Sequence, residues 1–526
     1  MIWNVYLSKQ EGSVRVDNYL NGVMIIRKSD YWGTSGKLLQ KAAEQIKFNN
    51  EKNIAATYLT TYDAFTDDSF AECLRNDIKS KDEIGVWFEV TKILADKAGV
   101  TWYGKLGLEW VHTTSVQMLP GYTNEEKEKL IDEIMRSFKE VFGRYPKTIG
   151  AWCLDIYSLN YIAKNYGADA AVICREQWGM DAISLWGGPY YGGYYPCKNN
   201  IMCPAQTESE QIDIPIFRMY VNDPIYCYYE HKDEKYNGVP PGPITQEPGY
   251  DKKTGQNPAW LKWIWECLFG EKSVGFAYFQ LGQENSFGWE NVKNGMSIQY
   301  ELLKKYANDK YGLEYITVGE MGKRFKEQYK TTPIRTVAAL DDWRNSGRQS
   351  LWFNNSGYRI NFFADKENVW IRDIHIFDES YKDRYLTEPC ETHGILYDNL
   401  PAVDGIRFAA TETEKPGLYF GKGIIDSCCC KDDICTVTVR TDDNLIEIKL
   451  CSRKIEFSAS KDFELDFKYN CAPYSSRDFI IKVSEKEIKY ALRRKLYSVV
   501  TEEGRIENMT LKSENKKLSI VLKTNQ

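Results

Sequence analysis

The chain has 526 residues, 43% of them hydrophobic and 27% charged, with a formal net charge of −6, as is ordinary for a folded protein of two or three domains. Acidic and basic residues are interspersed, so we expect no nucleic-acid partner, because no basic surface is concentrated enough to follow a phosphate backbone. No apolar run is long enough to span a membrane, the N-terminus lacks a secretory pattern, and the 14 cysteines are scattered irregularly. We therefore predict a cytoplasmic protein, exported only if a leader was removed, with no membrane partner.

From about residue 22 to about residue 330, short apolar runs alternate with segments of helical periodicity. The run GVMII is followed by KLLQKAAEQIKF, and AATYL by DDSFAECLRN; about seven strand candidates occur in all. This alternation predicts parallel strands joined by right-handed crossovers. We therefore expect residues 1–335 to form an α/β unit, a (β/α)7-type barrel that carries the catalytic site.

After about residue 335 the pattern changes to a period of two. Runs such as NVWIRDIHIF, CTVTVRT and LIEIKLC are separated by Asn, Asp, Gly and Lys turns. Such alternation is typical of antiparallel strands with one buried face. We predict an antiparallel β-sandwich over residues 336–526, with an ancillary role and a possible subdivision near residues 425–435.

Acidic residues follow several of the predicted barrel strands. Reacting groups in α/β barrels project from the C-terminal ends of the strands, so acids placed there are candidates for chemistry. An acid at a strand end is also often a helix N-cap or an ion-pair partner, so several on one rim indicate a site better than one alone. The leading candidates are Asp30, Glu89, Asp155 and Glu284, and a second group consists of Asp63 and Asp181.

Aromatic residues make up 14% of the chain, which fits either a large core or a sugar-binding cleft. The side chains that we expect to contact substrate, in addition to the acids Asp30, Asp63 and Asp181, are Trp87, His112, Trp152, Arg175, Tyr190 and Tyr191. Only four histidines occur, no HxxxH or HExxH motif is present, and three adjacent thiols at 428–430 do not easily converge on one ion. We therefore predict no metal and no cofactor.

Three motifs resemble one known superfamily in the same order along the chain. AATYLTTYDAF is similar to its second strand, DEIGVWFEVT (82–91) to its "EIGNHTxxH" motif, and the stretch ending GRYPKTIGAW to the helix before its third motif. Residues 22–284 thus resemble the polysaccharide-deacetylase-like (NodB-homology) barrels, which implies a seven-stranded β/α barrel acting on carbohydrate. Deacetylases of that superfamily hold a divalent metal with one Asp and two His, but Trp87 and Thr91 stand at the two His positions here.

A second resemblance concerns retaining glycosidases on related barrels. In GAWCLD, Gly150, Trp152 and Asp155 match their G-x-W-L-P-E pattern, which implies that Asp155 is the nucleophile. The stretch GQENSFGWE is loosely similar to their acid-bearing segment, which implies that Glu284 is the proton donor, with Glu89 as a substitute for either role. We predict a glycoside hydrolase that cleaves oligo- or polysaccharides with two carboxyl groups and without a metal.

Two alternatives stay open at this point. One is a metal-dependent carbohydrate deacetylase whose ligands are relocated, for example to Asp30, Asp63 and His112. The other is a non-catalytic carbohydrate-binding protein on an enzyme-derived barrel. The sequence leaves the sugar, the linkage and the oligomeric state open.

Overall fold

The computed structural model describes residues 18–29, 37–105, 113–174, 177–178, 182–183, 187–226, 246–249, 254–392, 394–396, 398–404, 416–431, 433–468 and 479–524. Four residues predicted to contact substrate, Asp30, His112, Arg175 and Asp181, lie outside these ranges. Within the described ranges, no helix is long and apolar enough to cross a membrane.

The first region is built on a curled, mainly parallel sheet. Its strands, with four short strands that form two separate pairs, are β1 (Asn18–Ile26), β2 (Ala56–Thr60), β3 (Glu83–Trp87), β4 (Thr148–Ala151), β5 (Ala170–Cys174), β6 (Gln177–Trp178), β7 (Ala182–Ile183), β8 (Gly193–Tyr194), β9 (Pro196–Cys197), β10 (Asn200–Pro204), β11 (Ile216–Met219), β12 (Ala277–Leu281) and β13 (Leu313–Tyr315). The order is β12-β1-β2-β3-β4-β5-β11-β8, with β13 also pairing with β1. Every neighbouring pair from β12 to β11 is parallel, and β8 joins β11 antiparallel.

Helices connect and cover these strands. They are α1 (Leu38–Glu51), α2 (Tyr62–Phe65), α3 (Asp68–Asp77), α4 (Lys92–Ala98), α5 (Thr114–Gln117), α6 (Asn124–Phe142), α7 (Ile156–Asn165), α8 (Pro258–Phe269), α9 (Trp289–Leu302), α10 (Asn308–Tyr311) and α11 (Val318–Gln328). The longest, α6, begins with a capping box between Thr123 and Glu126, which satisfies its first free amide groups. All nine residues of β1 are buried, as expected for a parallel strand covered on both faces.

The second region consists of two antiparallel sheets. Their strands are β14 (Arg335–Ala339), β15 (Gln349–Asn354), β16 (Tyr358–Ala364), β17 (Val369–Ile376), β18 (Leu400–Asp404), β19 (Gly417–Gly421), β20 (Gly423–Lys431), β21 (Ile434–Thr441), β22 (Leu445–Leu450), β23 (Lys454–Ala459), β24 (Glu464–Lys468), β25 (Ile480–Val483), β26 (Glu487–Leu492), β27 (Lys495–Glu503), β28 (Arg505–Glu507), β29 (Thr510–Lys512) and β30 (Lys517–Thr524). One sheet has the order β14-β15-β16-β17-β19-β24-β29-β28, with β18 beside β17, and the other β20-β21-β22-β23-β30-β27-β26-β25. The two sheets enclose one hydrophobic core.

The first antiparallel sheet also packs against the parallel-sheet region. Trp352, Trp370 and Tyr419 belong to the same hydrophobic core as the residues of the parallel sheet. The prediction of an α/β region with parallel strands, followed by antiparallel β structure, is therefore confirmed at this coarser level. The count of seven βα units stays a prediction, because in the described residues short strands rather than an α-helix lie between β5 and β11. The boundary near residue 335 also stays a prediction.

Candidate active site

A buried arginine lies at the centre of the strand ends. Arg27 directly follows β1 and is 0% exposed. Its Nε donates to both oxygens of Glu89 at 3.1 and 3.0 Å, and its Nη2 donates to Oε1 at 2.5 Å. On the other side of the guanidinium, Nη1 forms an ion pair with Glu284 Oε2. One cation thus joins carboxylates from the ends of two different strands.

Two indole groups also contact Glu89. Trp87 Nε1 donates to Glu89 Oε1 at 2.8 Å, and Trp152 Nε1 donates to the same oxygen at 3.0 Å. The two rings meet edge to face, with centroids 5.7 Å apart. Gly150 allows this arrangement, because an added Cβ would lie 2.7 Å from the Trp87 ring. Glu89 is therefore fixed in one position by donors from three strands.

Glu284 reaches the cluster through a turn at the end of β12. Gly282 has a φ of 144°, and a side chain there would collide with the Val23 carbonyl. Glu284 is 2% exposed, and its Oε1 accepts a hydrogen bond from Ser286 Oγ at 2.7 Å. The neighbouring Asn285 binds the Arg27 backbone twice, at 2.8 Å each, which fastens this turn to the end of β1.

Asp63, at the start of α2, is the third acid of this group. Its oxygens accept hydrogen bonds from Thr61 Oγ1 at 2.6 Å and from Ser29 Oγ at 2.8 Å. Burial raises the pKa of Asp63 above its usual value, and the negative charge of Glu89 raises it further, against the two hydroxyl hydrogen bonds. The environment therefore favours the protonated form of Asp63 beside the ion-paired Glu89.

These residues come from neighbouring strands. Arg27 follows β1, Asp63 follows β2, Glu89 follows β3, Trp152 follows β4, and Glu284 follows β12. In a parallel sheet the C-terminal ends of adjacent strands meet at one edge, where catalytic groups of α/β barrels lie. We call Arg27, Asp63, Glu89 and Glu284 the rim cluster. Its buried acids around one arginine, together with the raised pKa of Asp63, make it the candidate active site.

The rim cluster does not fit the divalent metal of the superfamily's deacetylases. Trp87 is buried and packs against Trp152, and Thr91 caps α4 by accepting from Leu94 N at 3.3 Å. The Arg27 guanidinium lies between the two glutamates, where it is the counter-charge. The two groups among the described residues that have metal-ligand geometry lie elsewhere, at Cys428–Cys430–Cys435 and at Asp373–His375–Asp404.

Asp155, the predicted nucleophile, has different surroundings. Its Oδ1 accepts from Lys127 Nζ at 3.1 Å and from Ser158 N at 2.9 Å, and its Oδ2 accepts from Ser158 Oγ at 2.8 Å. Asp155 and Lys127 are both 0% exposed. The carboxylate therefore caps α7 and neutralises a buried lysine, and its contacts give no support to the predicted role.

The same lysine links the two regions of the chain. Lys127 Nζ also donates to the carbonyl of Tyr385 at 3.4 Å, in a short 3-10 helix between β17 and β18. Burial raises the pKa of the neighbouring Asp383, and the charges of Asp398 and Asp155 raise it further. Asp155 thus belongs to an interface between the regions.

Tyr190 and Tyr191, predicted to bind sugar, lie in the core. The Tyr190 hydroxyl donates to the Asn222 carbonyl at 2.9 Å, and its ring stacks on Trp352 with centroids 4.4 Å apart. The Tyr191 hydroxyl donates to the Tyr278 carbonyl at 2.5 Å. Both side chains are at most 1% exposed, and their hydroxyl groups and rings contact core partners, so they stabilise packing.

Arg27 was not predicted from the sequence. A signal does exist, because an arginine directly after the apolar run GVMII cannot easily be buried without an acidic partner. Two acids at other strand ends, Glu89 and Glu284, were already candidates to be that partner. The sequence offers no way to choose which acids it joins.

Comparison with solved structures supports the fold. A proposed glycoside hydrolase/deacetylase of Parabacteroides distasonis matches with a TM-score of 0.51 and 17% identity, over 71% of this chain and 88% of that chain. A proposed polysaccharide deacetylase of Mycobacterium smegmatis matches with a TM-score of 0.34 and 10% identity, over 60% of this chain and 92% of that one. Another, from Pseudomonas aeruginosa, has a TM-score of 0.35 and 11% identity, over 59% and 92%.

No protein-family profile matches the chain, and no curated protein matches it. Of these three structures, the one from Parabacteroides has a TM-score above 0.5, and at 17% identity it shows similarity of fold alone. Over 71% of its length, the chain shares the fold of that Parabacteroides structure.

Proposed function

We propose that this protein is a hydrolase that acts on carbohydrate and cleaves glycosidic bonds with the carboxyl groups of the rim cluster. The observation that carries the proposal is the double ion pair of Arg27 with Glu89 and Glu284, with Asp63 beside them. Glycoside cleavage needs two carboxyl groups in different protonation states, one to donate a proton and one to act as nucleophile or base.

Asp63 is the proton donor in this proposal. Its raised pKa keeps a proton on the carboxyl at a pH where an ordinary aspartate has lost it. Glu89 is the ionised partner, because a guanidinium and two indole groups donate hydrogen bonds to it. Two acids whose environments favour opposite protonation states are the arrangement that acid/base hydrolysis requires.

Arg27 has a positioning role and balances charge. Among the described residues of the cluster, one guanidinium faces two carboxylates, so with Glu89 and Glu284 ionised it offsets one of their two negative charges. A residual negative charge stabilises the oxocarbenium-like transition state of glycoside cleavage. Trp152, whose ring centroid lies 5.6 Å from the guanidinium carbon, forms a wall of the same site.

A panel of aryl glycosides and chitin oligomers, assayed with and without EDTA, tests the proposal. We expect sugar release that EDTA does not change and that Glu89→Gln removes. The matched control is Glu83→Gln, because Glu83 is also buried on β3 but lies at the opposite end of the strand, where it contacts Thr57, Thr148 and Gly319. Acetate release that EDTA abolishes, or binding without turnover, would contradict the proposal.

A further inference from the structure

Four cysteines lie on one β-hairpin of the second region. Cys428, Cys429 and Cys430 are on β20, and Cys435 is on β21. The hairpin register places Cys430 directly opposite Cys435, and Lys431 opposite Ile434. Asp433, just before β21, has a φ of 62°, a left-handed conformation that is common in tight hairpin turns. The turn therefore fixes which cysteines face each other.

The pleat of the strand separates the cysteines into two groups. Successive side chains of a strand point to opposite faces, so Cys428 and Cys430 share a face while Cys429 points away. Cys428 and Cys430 are partly buried against the core, Cys435 is fully buried, and Cys429 is exposed. As expected, the three consecutive thiols do not all point to one place, because Cys429 points away from the other two. Cys435 of the neighbouring strand lies beside Cys428 and Cys430 instead.

The three inward sulfur atoms form a compact triangle. Cys430 and Cys435 form a disulfide, and Cys428 Sγ lies 3.4 Å from Cys435 Sγ. All three sulfur atoms lie within 4.8 Å of one another. Three thiolates around one ion need sulfur separations of about 4 Å, because a metal–sulfur bond is about 2.3 Å long. The triangle thus needs little rearrangement to surround an ion once the disulfide is reduced.

We propose that Cys428, Cys430 and Cys435 of the reduced protein bind one Cu(I) ion through three thiolates. Thiolate ligands select soft ions, and among the described residues the group consists of three sulfur donors, a set that suits Cu(I). A dithiol reductant would convert the Cys430–Cys435 disulfide to two thiols and itself become a disulfide. Binding of the ion then displaces the three thiol protons.

The surroundings support access to this site. β20 is the edge strand of its sheet, so among the described residues its outer side is not covered by another strand of that sheet. Cys428 and Cys430 are partly exposed, which gives an ion a path to the sulfur atoms, while the buried Cys435 closes the inner side. The disulfide is the metal-free oxidised form of the same site. This inference is independent of the proposed hydrolase activity.

Titration of the reduced full-length protein with Cu(I), in competition with a chromogenic Cu(I) chelator, tests the proposal. We expect one tightly bound ion per chain, with a sulfur-to-metal charge-transfer band in the ultraviolet. Protein whose disulfide is intact should not bind the ion tightly, because two of the three ligands are then blocked. Tight binding by that oxidised protein would overturn the proposal.

Single variants separate this site from unspecific thiol binding. Cys428→Ser should lose the tight site, whereas Cys429→Ser, which changes the neighbouring exposed thiol, should keep it. Loss of binding in both variants, or retention in Cys428→Ser, would overturn the proposal. Cys428 is only partly buried, and circular dichroism would verify that its variant is folded, so the test does not depend on replacing the buried Cys435.

Discussion

Two buried groups of a cation with carboxylates lie near the ends of adjacent strands. They differ in how many acids share the cation. In the rim cluster, one guanidinium is shared by Glu89 and Glu284, and a third acid stands beside them. In the other group, Asp155 is paired with Lys127 and caps a helix, with the buried Asp383 nearby. Burying acids in excess of cations is costly, so the excess among the described residues of the rim cluster is a reason to propose a functional role there, whereas the Lys127–Asp155 pair is explained by structure alone.

The largest effect should come from replacing Glu89. Glu89→Gln keeps the shape and an acceptor for Arg27, but removes the charge that the proposed mechanism uses. We expect the turnover number to fall by about 10²–10⁴-fold, the usual contribution of acid–base groups. Steady-state kinetics on the glycoside that the wild type cleaves measures it. Glu83→Gln should keep a turnover number near that of the wild type. A similar loss of turnover in both variants would contradict a catalytic role for the residues at the C-terminal end of β3 in particular.

Asp155 should show the opposite behaviour, a loss of stability rather than of chemistry. Asp155→Ala leaves Lys127 buried without its carboxylate and removes the cap of α7. We expect the free energy of unfolding to fall by about 3–5 kcal/mol, which urea unfolding measures. The folded fraction should retain most of its specific activity. A large loss of turnover at unchanged stability would restore Asp155 as the nucleophile.

The pH profile tests the protonated state of Asp63. Because the pKa of Asp63 is raised, its proton stays on the carboxyl below the folded-state pKa and is lost as the pH rises through it. Activity should therefore fall on the alkaline side, by about tenfold per pH unit. Ser29→Ala removes a hydrogen bond that favours the ionised form of Asp63. The alkaline limb of the pH–activity profile should therefore move to higher pH. Ser137→Ala, whose hydroxyl donates to Glu133, is the control, and an unmoved limb in Ser29→Ala would contradict the assignment.

The smallest effect is expected at Asp383. Burial, with the charges of Asp398 and Asp155, raises the pKa of Asp383 from 3.8 to about 7, while Arg384 and the Tyr385 amide oppose the change. The folded protein holds this proton in a range where the unfolded chain has lost it, so this residue makes stability decline as the pH rises from about 4 to about 7.

Asp383→Asn removes the burial penalty of the charged form. We expect the free energy of unfolding at alkaline pH to rise by about 1–3 kcal/mol, because a tenfold difference in proton affinity between the folded and unfolded chain corresponds to about 1.4 kcal/mol. Acidic conditions, where Asp383 is protonated, should show little difference between variant and wild type. Denaturant unfolding across the pH range measures both, and a variant less stable at alkaline pH would show that the carboxylate is needed there.

The presence of several acids at the strand ends could be predicted from the sequence, but which of them contact one another could not. Alternation of strands and helices placed Glu89, Glu284 and Asp63 at strand ends, and the structure brings them together around Arg27. A local motif could not distinguish a nucleophile at Asp155 from a helix cap, since an acid followed three residues later by Ser158 fits a cap equally well. Tyr190 shows the same limit, because its stacking partner, Trp352, is 162 positions away in the chain.

The contacts of Lys127 with Tyr385 and of Tyr190 with Trp352 determine whether the two regions can be separated. A shortened protein ending near residue 334 would expose the Tyr190 ring, and the buried Lys127 would lose the Tyr385 carbonyl as a hydrogen-bond acceptor. The exposed apolar face would favour aggregation. The β-rich half is therefore expected to be needed for the first region to stay stably folded. A substitution at one of these contacts is expected to require a compensating change in the residue that it touches.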